Sequence, residues 1–364
     1  MKICYLAPAS NYHTKKWCKH FIDRGDEVHV ISLLPGEIEG ATVHYLDPGA
    51  SATDSEAKKL LYLTKRSEVR RIVDQNDFDI LHAHYASSYG LLAALSLKCD
   101  YFLSIWGSDV YDFPKTSPLH RAAIKYSLKR PAEVMSTSRA MAKEAQQYTN
   151  KEMVITPFGV DVDLFHPAQT RHNGDDRFIV GTVKSLESKY GIDTLLRGAA
   201  ILHERRPEIP LELRIAGKGS LEGDLHALAD ELGLAEIVHW LGFISQEEAA
   251  EEWRNFDVAT VTSESESESF GVSAVEAQAS GTPLVITDIP GLMEACDGGR
   301  TAVVVKRSNP DILADALEKL YDQPSLREEL GARGRRYVCD TYEVNSCFRI
   351  VEDRYQRFLR QVGR

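Results

Sequence analysis

The chain has 364 residues, enough for about two domains of ordinary size, and its 43% apolar and 27% charged content is typical of globular proteins. Its net charge of −11 lies in the second half, because residues 1–160 hold 20 basic and 18 acidic side chains, and this acidity argues against nucleic acid as a partner. No apolar run approaches the roughly 18 residues of a membrane span, MKICYLAPA lacks the apolar core of a secretory signal, and none of the six Cys forms a CxxC pair, so we expect a cytoplasmic protein with reduced thiols.

Short apolar runs alternate with helical patterns through the first 150 residues. Strands are predicted at 2–7, 27–33, 79–83, 101–105 and 133–137, with helices at about 14–24, 55–75, 88–98, 118–130 and 139–148. Because parallel strands need a crossover connection, this alternation predicts a parallel sheet with helices on both faces.

The alternation stops and then restarts. The stretch 157–176 is rich in Pro, Gly and Asp and has almost no apolar periodicity, which is typical of a linker. Six further strands are predicted in FIVGTV, LELRIAG, IVHWLGF, VATVT, PLVITD and AVVVK. We therefore predict an α/β fold with two tandem doubly wound, Rossmann-like domains that face each other across a cleft. The predicted parts are an N-terminal domain 1–163, a C-terminal domain 164–341, and a final helix 342–364 that packs back on the first domain.

The most informative stretch is ESFGVSAVEAQASGTPLVITD, which begins at Glu268. Glu268 directly precedes a helix predicted from Gly271 to Ser280, and Glu276 lies about two turns inside that helix. The first backbone N–H groups of a helix have no partner within it, so they form a natural anion site. These groups belong to Phe270, Gly271, Val272 and Ser273. Gly271 has no Cβ, which would let a phosphate or ribose approach the backbone closely.

The two carboxylates suit a sugar nucleotide. Glu276, when ionised, can accept hydrogen bonds from both hydroxyls of a ribose. Glu268 lies nearer the predicted cleft and can hold hydroxyls of a transferred sugar. Two Glu eight positions apart are by themselves a weak signal. The pattern becomes specific because Phe-Gly lies between them and because the second Glu opens the sequence Glu-Ala-x-Ala-x-Gly-x-Pro.

This pattern resembles the signature of the family 4 retaining glycosyltransferases, and the resemblance extends over nearly the whole chain. It implies the GT-B fold, a nucleotide-diphosphate sugar as donor in the C-terminal domain, an acceptor in the N-terminal domain, and no metal or other cofactor. The bacterial surface-glycan enzymes are the type that it resembles.

Within that resemblance, RFIVGTVKSLESKYGIDTLL matches the first strand and basic loop of the second domain. The family usually has an Arg and a Lys there, which grip the donor diphosphate, and the matching residues here are Lys184 and Lys189. Lys184 replaces the usual Arg, and the spacing to KYG is slightly altered. Cations at this position would stabilise negative charge on the leaving diphosphate.

LELRIAGKGSLEG resembles the family's glycine-rich turn, which assigns Gly217 and Gly219 to the donor side. With Gly223, these glycines also resemble a dinucleotide fingerprint. Their spacing is G-x-G-x-x-x-G, however, and no ribose-binding acid follows about 20 residues later, so NAD binding is not expected.

Two Asp-x-Asp patterns have the form of a metal motif. Asp161 and Asp163 lie in the predicted linker, and Asp77 and Asp79 precede a strand, whereas such a motif should follow an apolar strand. We therefore expect no functional metal.

Three segments of the N-terminal domain are assigned to the acceptor. The loop after the first strand contributes Ser10, Asn11, His13, Thr14 and Lys15, in place of the family's frequent Gly-Gly loop. LHAHYASSYG contributes His84, whereas His82 is interpreted as a core histidine. SIWGSDVYDF resembles the family's His-Gly-Ser-Asp segment and contributes Trp106 and Asp109.

Trp106 and Asp109 each allow two interpretations. Trp106 stands where the family has a sugar-binding His, and it either stacks on a sugar face or packs in the core. Asp109 either binds acceptor hydroxyls or orders its own loop.

The resulting hypothesis is a retaining, metal-independent hexosyltransferase that uses a nucleotide-diphosphate sugar, with UDP favoured. Its acceptor hydroxyl would belong to a glycan, a lipid-linked intermediate or a small molecule, in cell-surface polysaccharide synthesis. A sugar-nucleotide epimerase on the same fold and a non-catalytic sugar-nucleotide-binding protein remain alternatives. The basic segment 58–71 either meets an anionic membrane at its inner face or is a solvated helix face. It contains Lys58, Lys59, Lys65, Arg66, Arg70 and Arg71.

Overall fold

The structure, a computed structural model, describes residues 1–49, 60–168 and 177–363. These residues form two compact units, one made of Met1–Pro157 with Phe348–Arg364 and the other of Phe158–Cys347. Each unit is built around one parallel sheet, in agreement with the predicted doubly wound α/β class.

The first unit contains a seven-stranded sheet in the order β3-β2-β1-β4-β5-β6-β7, and every pairing is parallel. Its strands are β1 Lys2–Leu6, β2 Glu27–Ser32, β3 Ala41–Tyr45, β4 Ile80–His84, β5 Phe102–Ile105, β6 Glu133–Ser136 and β7 Met153–Ile155. Its helices are α1 Tyr12–Asp23, α2 Arg66–Asp74, α3 Tyr89–Ser96, α4 Ser108–Tyr111, α5 Phe113–Thr116, α6 Pro118–Lys129 and α7 Arg139–Ala145, and the 3-10 helix Leu60–Lys65 precedes α2. The central strands are buried on both faces, as expected where helices cover both sides of a sheet.

The second unit contains a six-stranded parallel sheet in the order β10-β9-β8-β11-β12-β13. Its strands are β8 Phe178–Val183, β9 Leu211–Ala216, β10 Val238–Gly242, β11 Val258–Val261, β12 Leu284–Thr287 and β13 Val303–Val305. Its helices are α8 Ile192–Arg205, α9 Glu222–Glu231, α10 Gln246–Asn255, α11 Val272–Ala279, α12 Pro290–Ala295, α13 Pro310–Asp322 and α14 Pro324–Tyr342. The strand order reverses between β8 and β11, which is the point where such sheets bind ligands.

The last helix, α15 Val344–Val362, contributes its C-terminal part to the first unit. Tyr355 is fully buried there, and its hydroxyl lies 2.5 Å from Nδ1 of His82. The Nε2 atom of His82 lies 2.8 Å from the Ser104 hydroxyl, so both ring nitrogens have partners. His82 is therefore a hydrogen-bonded core histidine.

Close packing in the second unit fixes the identity of Gly181 in β8. A Cβ at this position would lie 2.3 Å from ring atoms of Phe256, whose side chain is fully buried. Real Cβ atoms do not approach that closely, so any larger residue must displace the ring or the strand.

We therefore expect Gly181→Ala to destabilise the second unit by about 1–3 kcal/mol, the usual cost of overpacking a core. Gly223→Ala is the matched control, because the same methyl in α9 would meet no atom within 4 Å and glycine lowers helix stability. Urea denaturation followed by circular dichroism should show a lower midpoint for the first variant and an equal or higher midpoint for the second. Equal midpoints for both variants would contradict the packing argument.

Candidate functional site

A cavity of about 300 Å³ opens beside the carboxyl ends of β8 and β9, next to the start of α11. Its position near the strand-order reversal is where a doubly wound sheet binds its ligand. The lining residues are Val183, Lys184, Ser185, Tyr190, Ala216, Gly217, Lys218, Phe243, Ile244, Gln246, Val272, Ser273 and Glu276. Five of the sequence-predicted donor-side residues are among them: Lys184, Gly217, Val272, Ser273 and Glu276.

Lys184, which lines the cavity, forms a buried ion pair with Glu268, which does not line it. The Lys184 Nζ atom lies 2.6 Å from Glu268 Oε2, and the two side chains are only 11% and 9% exposed. Burial by itself lowers the pKa of Lys184, but Glu268, Tyr190 and Glu276 together outweigh it and raise the pKa above its ordinary value. Lys184 is therefore positively charged at the cavity wall, and the Glu268 carboxylate partly neutralises that charge.

Both predicted lysines contact the ring of Tyr190. The Lys184 Nζ atom lies 4.5 Å from the ring centroid, and the Lys189 Nζ atom lies 4.9 Å from the same centroid. Distances below about 6 Å allow a favourable cation–π interaction with an electron-rich ring face. Lys189 does not itself line the cavity, but its carbonyl accepts a hydrogen bond from the Glu264 N–H, which ties its turn to the loop that carries Glu268.

Glu276 occupies the inner wall of the cavity, within α11. Its carboxylate accepts a hydrogen bond of 3.3 Å from the indole Nε1 of Trp253, a side chain with no exposed surface. One turn earlier, the Ser273 hydroxyl donates to the Val183 carbonyl at 2.8 Å. These two bonds fix the start of α11 against β8 and α10, so the Glu276 carboxylate is held in a defined direction.

Of the four residues whose N–H groups were expected to form an anion site, Val272 and Ser273 line the cavity, whereas Phe270 and Gly271 do not. The Phe270 ring is buried against Phe158 and Tyr342. Gly271 has φ +74°, and a Cβ there would lie 2.7 Å from a Leu292 methyl group. The missing side chain of Gly271 thus makes room for core packing and not for a ligand, because its turn is folded inward.

Positions 217 and 219 must be glycine, because a side chain at either one would collide with the backbone of the loop after β8. A Cβ on Gly217, which has φ +141°, would lie 1.9 Å from the Lys184 carbonyl oxygen, and one on Gly219 would lie 2.2 Å from that of Leu186. The glycines therefore let the loop after β8 cross the loop after β9 at close range. Only Gly217 of the two lines the cavity, so their main effect is to hold Lys184 in place.

Sequence reasoning missed several residues of the cavity wall. One of them is Phe243, which is 79% exposed although it is aromatic. Its signal is the Leu-Gly-Phe-Ile-Ser sequence, in which Leu and Gly end β10 and the apolar Phe243 follows at the ligand-binding edge of the sheet. Tyr190 is the central residue of the KYG tripeptide, and Lys218, Ile244 and Gln246 carry no separate signal in the sequence.

In the first unit, the loop after β1 divides its predicted residues between different environments. Asn11 is the N-cap of α1, and its side-chain oxygen accepts from the N–H groups of His13 and Thr14. Ser10 and Asn11 line a largely apolar cavity of about 600 Å³, whereas Lys15 lines a separate one of about 520 Å³. Thr14 is buried, so it is not available to an acceptor from solvent.

His84 and Trp106 belong to a buried aromatic cluster. His84 has no exposed surface, and the Trp106 ring lies 4.4 Å from it between centroids. The ring centroids of Trp17 and Tyr5 lie 4.9 Å and 5.3 Å from that of the imidazole. Contrary to its assignment to the acceptor side, His84 has no surface open to an acceptor in this structure, and for Trp106 the packing interpretation describes what is observed.

Asp109 orders its own loop. It is buried, and its carboxylate accepts hydrogen bonds from the backbone N–H groups of Ala86, Trp106 and Gly107. Burial raises the pKa of Asp109, while these hydrogen bonds act in the opposite direction. Since its oxygens are used by the backbone, we correct the acceptor-binding assignment in favour of the loop-ordering alternative.

The Asp-x-Asp pattern of the linker also has a local role. The Asp161 side chain accepts from the N–H groups of Asp163 and Leu164, which closes a turn.

Within residues 1–49, 60–168 and 177–363, no three His, Cys, Asp or Glu side chains come together in an arrangement that could hold a metal ion. In the same ranges, no helix combines the length and apolarity needed to cross a membrane.

The basic segment 58–71 is described only in part. Lys58 and Lys59 lie outside the described residues. Lys65 forms an ion pair of 3.1 Å with Glu68, and the Arg70 Nε atom donates to the Ser96 carbonyl. Two of the described basic residues thus have partners within the protein, and contact of this segment with an anionic membrane stays a prediction.

Comparison with known proteins defines the class. Residues 165–337 match the family model described as glycosyl transferases group 1, and residues 2–138 match that of the glycosyl transferase 4-like domain. A D-inositol 3-phosphate glycosyltransferase of Paenarthrobacter aurescens is 31% identical over 281 residues, which cover 70% of this chain and 67% of that protein. The chain belongs to the family 4 glycosyltransferases with the GT-B fold.

Solved structures agree with that fold. Sucrose-phosphate synthase from Thermosynechococcus elongatus has a TM-score of 0.84 at 18% identity and covers 99% of this chain and 100% of that one. The Anabaena protein HepE, solved in complex with UDP-glucose, has a TM-score of 0.75 at 18% identity and covers 97% of this chain and 99% of that one. At these identities the similarity shows the fold alone.

The burial of His84 predicts an acid sensitivity. Burial lowers the pKa of His84 well below 6.5, so the folded imidazole stays neutral. Near pH 7 the group is neutral in both states and contributes nothing. As the pH falls below about 6.5, the unfolded chain binds a proton that the folded chain does not, and folding loses up to about 1.4 kcal/mol per pH unit.

His84→Phe should remove this loss while keeping an aromatic ring among Trp17, Trp106 and Tyr5. We expect the variant to gain stability relative to the parent chain as the pH falls from 6.5 to 4.5, and the difference to be smallest near pH 7.5. Denaturation midpoints measured over that range test it. A difference that does not change with pH would show that His84 does not carry the acid sensitivity.

Proposed function

We propose that this glycosyltransferase moves a hexose-type sugar, with retention of configuration and without a metal, from a nucleotide-diphosphate sugar, with UDP favoured. The acceptor would be a hydroxyl of a glycan, a lipid-linked intermediate or a small molecule, in cell-surface polysaccharide synthesis. One observation carries the donor part of the proposal: Lys184, which pairs with Glu268, and the fixed Glu276 carboxylate line one cavity at the carboxyl edge of the second sheet.

Each group at this cavity has a chemical use toward a sugar nucleotide. Glu276 accepts from the two ribose hydroxyls, because a fixed carboxylate can bind both at once. The N–H groups at the start of α11 and the Lys184 ammonium bind the diphosphate and stabilise the negative charge that grows on it as the sugar leaves. Glu268 accepts from hydroxyls of the transferred sugar. These roles need no metal ion, since Lys184 and the helix terminus supply positive charge.

The Lys184–Glu268 pair implies an order of events at the donor site. Without a ligand, each charge neutralises the other in a place shielded from water, where an unpaired charge would be costly. A bound diphosphate offers Lys184 a second anionic partner. Glu268 then keeps enough freedom to accept from the sugar while still facing the lysine, so donor binding replaces part of one ion pair by another.

Retention is proposed from the family chemistry, in which the acceptor attacks the same face from which the diphosphate leaves. The leaving phosphate then takes the proton of the acceptor hydroxyl, so no side chain of the chain has to act as a base. The relatives called D-inositol 3-phosphate glycosyltransferases support transfer to a hydroxyl, and the HepE complex supports UDP-glucose as a type of donor.

Donor identity is tested by thermal shift with a panel of UDP-, GDP- and ADP-sugars. A true donor at about 100 times its dissociation constant stabilises the folded state by about 2.7 kcal/mol. Transfer to mixed glycan and lipid-linked acceptors is then followed by NMR of the anomeric proton. A product whose configuration at the anomeric carbon is opposite to that of the donor would reject the retaining mechanism. Epimer formation without acceptor would indicate the epimerase, and binding with no turnover would indicate a non-catalytic protein.

Glu276→Gln should weaken binding of the free nucleoside diphosphate about 10- to 100-fold, because hydrogen bonds to a charged group are lost and each factor of ten is about 1.4 kcal/mol. The amide keeps an oxygen for Trp253, so the fold should remain. Glu251→Ala, at an exposed position of α10, is the control and should bind like the parent chain. Calorimetry measures both, and equal affinities for all three chains would remove the ribose role of Glu276.

Tyr190 provides a second test, of the lysine positions. Tyr190→Phe keeps the ring and should leave kcat within about twofold, whereas Tyr190→Leu removes a cation–π contact to each lysine, worth about 0.5–2 kcal/mol in such sites. We therefore expect the Leu variant to lower kcat about 3- to 30-fold, with a smaller change in the KM of the donor. If Phe and Leu have the same effect, the ring does not position the ammonium groups.

A further inference from the structure

The cavity that Ser10 and Asn11 line in the first unit differs chemically from the donor cavity. It measures about 600 Å³, a size typical of sites for small molecules, and its wall is made by segments that follow β1, β2 and β4. The lining residues, which define what we call the β1 cavity, are Pro8, Ser10, Asn11, Leu33, Leu34, Tyr85, Ser88 and Tyr89. None of these lining residues carries a charge, whereas Lys184, Lys218 and Glu276 line the donor cavity.

Two loops of the β1 cavity are held together by backbone contacts. The Ala9 N–H donates to the Ser32 hydroxyl at 3.0 Å, and that hydroxyl donates to the Leu34 carbonyl at 2.6 Å. A Cβ on Gly36 would lie 2.8 Å from the Ser10 nitrogen, so the segment after β2 passes the loop after β1 at a distance that only glycine allows. The β1 cavity is therefore a fixed part of the fold.

The start of helix α1 is poorly suited to bind an anion in this cavity. A phosphate at the carboxyl edge of a doubly wound sheet is held by the first N–H groups of the following helix. At α1 the Asn11 side-chain oxygen accepts from two of these groups, at 2.8 Å from the His13 nitrogen and at 3.3 Å from the Thr14 nitrogen. Lys15, on the same helix, lines a separate cavity. A phosphate in the β1 cavity would thus lose water without gaining a cation from the lining residues, which is costly.

Apolar side chains dominate the wall of the β1 cavity. Leu33 and Tyr89 are buried, and the Leu33 N–H donates to the Tyr89 hydroxyl at 3.1 Å, which holds the ring in place. Leu34 is 45% exposed, so its side chain is open to a ligand. The polar groups among the lining residues are neutral and include the hydroxyls of Ser10 and Ser88. Such a wall suits a molecule that combines an apolar surface with hydroxyl groups.

Tyr85 is held at this wall in an unfavourable backbone conformation. Its φ of +67° costs energy for a residue with a side chain, and residues kept in this region cluster at binding and active sites. Its ring packs against that of Trp106, with 4.8 Å between the two centroids. The surrounding structure thus fixes an aromatic side chain at the cavity, which favours an apolar group as the occupant.

We propose that the acceptor of this enzyme is an uncharged molecule that carries an apolar group beside its reacting hydroxyl, and that the β1 cavity holds this group. The inference rests on the proposed function, because it assumes that the first unit receives the acceptor. Leu33, Leu34 and Tyr85 contact the apolar group, which is an aromatic ring or an alkyl chain, and the hydroxyls of Ser10 and Ser88 bind the polar part. D-inositol 3-phosphate, after which the relatives are named, carries a phosphate and no extended apolar group, so it does not suit this cavity.

Binding of neutral glucosides to the full chain tests the inference without any donor. Phenyl and hexyl β-D-glucoside carry an aromatic ring and an alkyl chain on the same sugar, and methyl β-D-glucoside carries neither. We expect the phenyl or the hexyl compound to bind about 10- to 100-fold tighter than the methyl compound, because burial of the apolar group adds to the affinity. The tighter of the two shows whether the cavity takes a ring or a chain. D-inositol 3-phosphate should bind no tighter than the methyl compound, and ligand-observed NMR titrations measure all four.

Leu34→Asp should weaken binding of the preferred glucoside about tenfold or more, because a carboxylate at the cavity wall would lose water against the apolar group. Leu119→Asp is the matched control, since Leu119 is 72% exposed on α6 and lines neither the β1 cavity nor the donor cavity. Its affinity should stay within about twofold of the parent chain. Thermal unfolding midpoints confirm that both variants are folded.

Equal affinities for the three glucosides would overturn the inference, as would tighter binding of D-inositol 3-phosphate than of any glucoside. The same affinity in Leu34→Asp as in the parent chain, or an equal loss in both variants, would also overturn it. The proposed function fails in a different experiment. Loss of sugar-nucleotide binding or of all sugar transfer would reject that function, whereas the glucoside affinities are measured without donor or turnover.

Discussion

The ion pair between Lys184 and Glu268 is the interaction on which the organisation of the donor cavity depends. Two opposite charges, each about nine-tenths buried, hold the loop after β8 against the loop that precedes α11. Neither charge tolerates burial alone, so the two loops are constrained to stay together. This constraint also positions the cavity wall. Tyr190 and Ser273 lie near the two loops that the ion pair joins, and Gly217 lies on a third loop that crosses the first.

Much of what surrounds the pair serves to keep it in place. Gly217 and Gly219 let the backbone of one loop pass under the other, and the Ser273 hydroxyl ties α11 to the end of β8. Trp253 fixes the direction of Glu276 from the neighbouring helix α10. The family signature therefore contains residues of two kinds. Some, such as Glu276, present charge to the cavity, and others, such as Phe270 and Gly271, build the turn from which that charge is presented.

The first unit has a different chemistry at the carboxyl edge of its sheet. There, His84 and Trp106 are packed among other rings, and Asp109 satisfies three backbone N–H groups. His84 and Asp109, although polar, are thus buried beneath the edge of the sheet. Ser10 and Asn11 line the apolar cavity at its surface. Resemblance to a motif does not distinguish a side chain that supports a loop from one that contacts a substrate, because either role can be filled by the same residue type.

The sequence by itself determined the alternation of strands and helices, the doubly wound class and the placement of Glu268 and Glu276 about the start of one helix, since these follow from local periodicity and spacing. It missed β3 and β7, which are short edge strands with partly exposed residues and no apolar run. Only the tertiary structure decided that Lys184 pairs with Glu268, that Phe243 joins the cavity wall, and that Phe270, His84 and Asp109 turn inward. These contacts join residues far apart in the chain, and which of them meet is fixed by strand order and by the competition of side chains for a limited buried volume.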